Sequence, residues 1–203
     1  MGMTPVVVTH AWQMAAILGY LLGAIPFGLL LTKFFQAGDL RSIGSGNIGA
    51  TNVLRTGRKG LAVATLILDG GKGAVAALIA GAYYGPEEAM IAGMMAVIGH
   101  NFPMWLKFQG GKGVATTLGV LIALCWPAGL AACATWLLIA FTFKMSSLSA
   151  LVAFAISPVY MFFLGNESLA VVAFMLAVLG FIRHQENIKR ILAGEEPKIG
   201  QKK

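Results

Sequence analysis

Charge is scarce in this sequence, and acid is scarcer still. Only 11% of the 203 residues are charged, with 15 Lys and Arg against 8 Asp and Glu. A soluble domain carries about 25%. On a chain that is 58% hydrophobic, this shortage excludes water as the main solvent and requires lipid. Cysteine is nearly absent too. Cys125 and Cys133 stand in apolar sequence with no CxxC and no Cys/His cluster, which excludes a structural metal site. No loop holds a paired Asp/Glu, or a Ser or Cys beside an evident base. An enzyme built from these residues must use an activated substrate rather than a covalent intermediate. Residues 1–13 contain no Lys or Arg and so lack the basic start of a secretory signal. The apolar run that follows is therefore expected to remain as an anchor.

What is present is long apolar sequence. The runs cover residues 14–35, 61–84, 89–106, 114–143, 147–164 and 168–182. None alternates every second residue, so all predict helices rather than barrel strands. A crossing needs about 20 residues. The run 114–143 is too long for one, and Trp126-Pro127 divides it into 114–125 and 128–143, because proline disfavours helix before it. The first half is short for a crossing, hence tilted or partly re-entrant. Pro26 is expected to kink the first run.

The net charge of +7 would suggest nucleic acid in a soluble protein. Here the basic residues gather between apolar runs, which is a topology signal, and no nucleic-acid partner is expected. Seven crossings with the N-terminus outside place Lys33, Arg41, Arg55, Arg58 and Lys59 on the inner face. The same face receives Lys107, Lys112, Lys144 and the tail from Arg183 to Lys203. Outer turns hold Glu87, Glu88 and Glu167. Lys72 alone lies inside an apolar run. The expectation is an all-α fold: a polytopic transmembrane helical bundle of about seven membrane helices, some short or broken, forming a single domain over residues 1–203.

Three inner segments are polar in a specific way. The first places Gly44, Gly46 and Gly49 among Ser42, Ser45, Asn47, Thr51 and Asn52, with Arg41 and Arg55 at its ends. Glycine lets backbone N–H groups converge on one oxyanion, and arginine adds a two-pronged donor. A flexible linker would need neither two Asn nor two flanking Arg. Gly44-Ser-Gly46-Asn-Ile-Gly49 also fits a dinucleotide fingerprint, but that motif requires a preceding strand, and here a membrane helix precedes it. The second segment contains His100, Asn101, Phe102, Trp105 and Phe108, then Gly110-Gly111-Lys112-Gly113 directly before a helix. Free N–H groups at a helix start favour an anion, although glycines there also permit close packing. No Ser or Thr follows Lys112, so it is not a Walker A loop. The three aromatics are expected at the headgroup layer. A fainter copy, Asp69-Gly-Gly-Lys72-Gly73, lies within the second apolar run. Asp69 and Lys72 can pair at i,i+3, and intramembrane ionisable groups are functional candidates. In the third segment His184, Asn187 and Ile188 share one helical face.

These three segments resemble the signature motifs of the bacterial acyl-phosphate-dependent glycerol-3-phosphate acyltransferases. Gly-Ser-Gly-Asn-Ile-Gly-Ala-Thr-Asn, Gly-His-Asn-Phe-Pro with Gly-Gly-Lys-Gly-Val-Ala-Thr, and His-x-x-Asn-Ile with Glu-Pro-Lys are specific in combination. The resemblance implies acyl transfer from acyl phosphate to sn-glycerol 3-phosphate, without coenzyme A or acyl carrier protein as direct donor and without a cofactor. It implies a functional link to the soluble acyltransferase that makes acyl phosphate, and residence in the bacterial inner membrane. On this reading Ser45, Asn47, Thr51 and Arg55 hold phosphate oxygens, helped by Arg41, Ser42, Gly44, Gly46, Asn52, His100, Asn101 and Lys72. Gly110, Gly111, Lys112 and Gly113 form a second anion site, and His184 and Asn187 orient the glycerol or its proton. The rival class is a transporter of phosphorylated or anionic solutes, which also uses broken helices and glycine-lined sites. All three polar segments on one face count against it.

Overall fold

The computed structural model describes residues 10–200. The placement of the N-terminal residues 1–9 and of Lys202 and Lys203 lies outside the described residues. The helices are α1 (Ala11–Gly23), α2 (Phe27–Phe34), α3 (Ala50–Leu54), α4 (Lys59–Tyr83), α5 (Pro86–Asn101), α6 (Val114–Leu124), α7 (Trp126–Phe143), α8 (Ser146–Leu164), α9 (Glu167–Arg183) and α10 (Gln185–Leu192).

Among the described residues, five segments are long and apolar enough to cross a membrane: Ala11–Phe34, Lys59–Tyr83, Pro86–Leu106, Trp126–Phe143 and Ser146–Leu164. α9 adds a further apolar helix of 17 residues, followed after a 65° bend at His184 by the polar α10. The seventh apolar helix, α6, has 11 residues. At about 1.5 Å per residue it falls short of a full crossing. The fold is thus the helical membrane bundle expected from the sequence, with the expected short and broken members.

Both prolines act as breaks. Pro26 lacks an N–H and separates α1 from α2. Trp126-Pro127 separates α6 from α7 at Cys125, whose backbone is extended (φ −153°, ψ 94°). Small residues bring the first helices together. Ala15, Ala76, Ala80, Ala92 and Ala96 form a fully buried cluster among α1, α4 and α5. A Cβ on Gly19 would lie 2.2 Å from the Ala92 carbonyl oxygen, and one on Gly23 2.0 Å from that of Ala96. This is the small-xxx-small contact by which membrane helices gain dispersion energy, since lipid supplies no hydrophobic drive between them. Large apolar side chains instead face outward: Phe34, Tyr83, Phe141 and Phe163 are all exposed.

The glycines after Asp69 do not interrupt a helix. α4 runs through them unbroken. Gly70 and Gly73 serve contact with α6, because a Cβ on Gly73 would meet the Thr116 carbonyl oxygen at 2.8 Å, and one on Gly119 would meet that of Gly70 at 2.1 Å. Their likeness to the Gly110–Gly113 loop therefore has a packing cause, not a repeated site.

Candidate active site

The first polar segment is pinned, not loose. Leu40, Ile48 and Val53 are buried at its two ends. The side-chain N–H groups of Asn52 donate to the carbonyls of Leu40 (2.9 Å), Ile43 (3.0 Å) and Asn47 (2.7 Å). The amide N–H groups of Asn52 thus shape the loop, while its side-chain oxygen has no partner among the described residues. The Ser42 hydroxyl likewise donates 2.8 Å to the Asp39 carbonyl of its own turn. Arg41 reaches across to the carbonyl of Gln109, joining the first segment to the second, and also to that of Gly46. Gly44 has φ +56°, and a Cβ there would meet the Arg55 guanidinium at 2.1 Å. Glycine at 44 thus lets Arg55 fold over the loop. Asn47 accepts from the N–H of Ile48 at 2.9 Å, and Thr51 meets Ser146 at 3.0 Å. Ser45 is exposed, and its hydroxyl has no hydrogen-bond partner among the described residues.

In the second segment the glycine pair does not offer free donors. The N–H of Gly110 goes to the Asn101 carbonyl (3.1 Å) and that of Gly111 to the His100 carbonyl (3.0 Å). Close packing fills the remaining space, since a Cβ on Gly111 would lie 2.1 Å from His100 Nε2. Gly110 and Gly111 shape the turn that presents Lys112. Gly113 takes φ +78° at the start of α6 and lies against the side chain of Asn101. Both polar side-chain atoms of the buried Asn101 are without a protein partner. Phe102 lies under the Arg183 guanidinium at 5.0 Å. Trp105 donates 2.8 Å to the Ala24 carbonyl.

The third segment completes the pocket. Lys112 donates to the side-chain oxygen of Asn187. The Asn187 amide donates 2.6 Å to Glu196, which also accepts from Ser147 at 2.6 Å and from Arg190 at 2.8 Å. Arg183 clamps the second segment, donating to the Gly111 carbonyl at 3.2 and 3.0 Å. His184, at the break after the α9 span, is buried, and its Nδ1 lies 2.7 Å from the Gly180 carbonyl. A carbonyl only accepts, so Nδ1 carries the proton and Nε2 remains the acceptor.

Two kinds of residue escaped the sequence reading. Arg183, Arg190 and Ser147 carried no motif signal beyond basic or polar character. Glu196 opens the Glu-Pro-Lys of the third segment, but nothing in the sequence assigns it a role. Lys72, expected to help hold phosphate, lies within α4 and is engaged by protein partners. Its three protons go to Ile25 O (2.6 Å), Asp69 Oδ1 (2.8 Å) and His100 Nδ1 (2.9 Å).

Charge is unbalanced here. Burial lowers the Lys112 ammonium to a pKa of about 8, with repulsion from Arg190, Arg183 and Arg55 adding to it and Glu196 opposing. His184 is lowered to about 4, again chiefly by burial, so the ring is neutral near pH 7. Glu196 is the one carboxylate among the charged groups acting on Lys112. A half-buried cation surplus of this kind favours a bound polyanion.

Fold and pocket together define an integral membrane protein with a cationic site at one end of its helices, suited to phosphorylated ligands. The profile of the family described as "Glycerol-3-phosphate acyltransferase" matches residues 13–194. A glycerol-3-phosphate acyltransferase of Rhodospirillum rubrum is 60% identical over 196 residues, covering 93% of this chain and 91% of that protein. One of Paramagnetospirillum magneticum is 60% identical over 185 residues, covering 91% and 92%. The crystal structure of PlsY, an integral membrane glycerol 3-phosphate acyltransferase, in its glycerol 3-phosphate form superposes with a TM-score of 0.87 at 37% identity, over 93% of this chain and 96% of that one. The chain belongs to the glycerol-3-phosphate acyltransferase family.

Proposed function

We propose that this chain transfers a fatty acyl group from acyl phosphate to the 1-position of sn-glycerol 3-phosphate, giving lysophosphatidic acid and phosphate, the first step of phospholipid synthesis. The observation that carries the reading is the convergence of Lys112, Arg55, Arg183 and Arg190 with a single carboxylate. Both substrates bear a phosphate, and the surplus suits two anions held side by side. Relatives named glycerol-3-phosphate acyltransferases support the acceptor, and a PlsY form described with lysophosphatidic acid supports the product.

The chemistry follows from what the pocket holds. The glycerol hydroxyl attacks the acyl carbon, the bond from that carbon to phosphate breaks, and phosphate leaves without a covalent enzyme intermediate. Ser45, Asn47, Thr51 and Arg55, with Lys112 and the start of α6, hold phosphate oxygens and stabilise the charge that develops. Nε2 of His184 accepts from the glycerol hydroxyl and orients it beside Asn187. With a pKa of about 4, His184 is a weak proton sink at neutral pH. A phosphate oxygen, whose monoester pKa lies near ~6, is the better destination for the proton. Fixing both substrates supplies several kcal/mol through proximity.

On this reading residues 1–203 act as one unit in the bacterial inner membrane, with the N-terminus outside, the C-terminus cytoplasmic and the pocket open to the cytoplasm. A soluble acyltransferase delivers acyl phosphate. The test is product formation by the purified protein in detergent micelles, where a carrier has no compartments to work between. Transfer from acyl phosphate, and none from acyl-coenzyme A, is the expected result. No transfer from acyl phosphate overturns the reading.

A further inference from the structure

Asp69 and Lys72 are buried in the middle of α4, and neither touches the cationic pocket directly. A buried ion pair is a poor source of stability, because desolvation offsets most of its attraction. Its geometry suggests another use. At the Pro26 break the Ile25 carbonyl accepts from the Phe27 N–H at 3.2 Å and keeps a second lone pair for a side chain. Lys72 takes that carbonyl with one proton, Asp69 with the second and His100 Nδ1 with the third. Donation into Nδ1 fixes the His100 tautomer with its proton on Nε2. That edge of the ring rests against Gly111, where no Cβ would fit. From the other side Arg183 holds the Gly111 carbonyl. Gly111 is therefore gripped between His100 and Arg183, and the next residue is Lys112.

We propose that Asp69 and Lys72 are positioning residues for the Lys112 loop, acting through the His100 ring. The ion pair sets the ring, the ring sets the height of Gly111, and Gly111 sets where the Lys112 ammonium meets Asn187. This rests on the acyltransferase reading above and adds residues to it. The packing of α4 on α6 through Gly73 and Gly119 holds the helix that carries the pair tightly against the helix that follows the loop.

The test replaces both charges at once, so that no unpaired ion is left buried. Asp69→Leu/Lys72→Met is made in the full chain, purified in detergent and assayed with acyl phosphate and glycerol 3-phosphate. The expected variant melts at or above the wild-type temperature yet loses at least ~10-fold in kcat/KM. Added to Lys112→Ala, the same pair of changes should cost under ~2-fold more, because residues acting through one group are not additive. A role confined to stability would leave kcat/KM unmoved. Wild-type kcat/KM in the folded double variant, or a full extra loss on top of Lys112→Ala, overturns the proposal. Should the double variant not fold, Gly111→Ala presses on the same contact from the loop side, and full activity there overturns it equally. If wild-type protein makes no product, the acyltransferase reading fails instead. The same variants are then titrated with inorganic phosphate, where unchanged affinity overturns the positioning role.

Discussion

The Lys112 ammonium donates to the side-chain oxygen of Asn187, which lies 75 positions away in the sequence. Asn187 has this oxygen available because its amide nitrogen is already committed to Glu196. The pair ties the loop before α6 to the helix after the α9 break, and so joins two of the three polar segments. Lys112→Ala removes a charge-stabilising donor and frees Asn187 to turn. Loss of at least ~100-fold in kcat/KM is expected, the usual cost of one such donor. Steady-state kinetics with acyl phosphate measures it, and a fully active variant would remove Lys112 from the site.

The same ammonium sets an alkaline limit. Its pKa is lowered to about 8, first by burial and then by neighbouring Arg190. The cation that binds phosphate is present below that value and lost as pH rises through it. Thus kcat/KM for glycerol 3-phosphate should fall above about pH 8, since this ratio reports the free enzyme. Arginine stays charged far beyond this range. A Lys112→Arg protein with any residual activity should show no such fall, and a limb left in place would assign it to another group.

His184 is expected to orient rather than to take the proton. Its ring is neutral, its Nδ1 proton is given to the Gly180 carbonyl, and its pKa is about 4. Activity should therefore show no limb from His184 between pH 5 and 7, roughly. A glutamine amide can reproduce an oriented polar edge, whereas alanine cannot. General-base catalysis contributes roughly 10²–10⁴-fold, so His184→Gln within ~10-fold of wild type would exclude that role. A glutamine variant as inactive as His184→Ala would restore it.

The helices were largely legible because their causes are local. Apolar length, Pro26 and Trp126-Pro127 mark breaks that appear where the residues put them. Lys112, His184 and Asn187 were legible as a chemical set. Their surroundings were not, because the deciding bonds span long separations. Whether Gly110 and Gly111 present N–H groups depends on carbonyls at His100 and Asn101 turning back toward them. Whether Lys72 faces a ligand depends on a carbonyl 47 positions earlier, at Ile25. The loop contacts of Asn52 are hidden for the same reason, since its amide reaches carbonyls up to 12 positions away.

Glu196 gives the sharpest case of a residue whose role only contact reveals. Its side chain is 6% exposed and bonded to Arg190. With Ser147 and Asn187 it accepts from three donors on α8 and α10. Burial alone would raise its pKa, but these bonds outweigh it and hold the group below the usual carboxylate value. A carboxylate lowered on folding stabilises the fold above its unfolded pKa, about 4.3. That contribution is lost as pH falls further, through the folded value. Glu196→Gln places an amide N–H against donors and turns charged bonds into neutral ones. Each charged bond is worth about 1.5–3 kcal/mol, so a lower melting temperature at pH 7 is expected. The gap from wild type should narrow below about pH 4, because protonation makes the native residue similar to the variant. Activity should fall at least ~10-fold, since Asn187 is no longer turned toward Lys112 and about 1.4 kcal/mol of transition-state stabilisation suffices for that loss. Melting curves from pH 3 to 8, roughly, with kinetics at pH 7 check both halves. A variant as stable and as active as wild type would show that Glu196 merely accompanies the site.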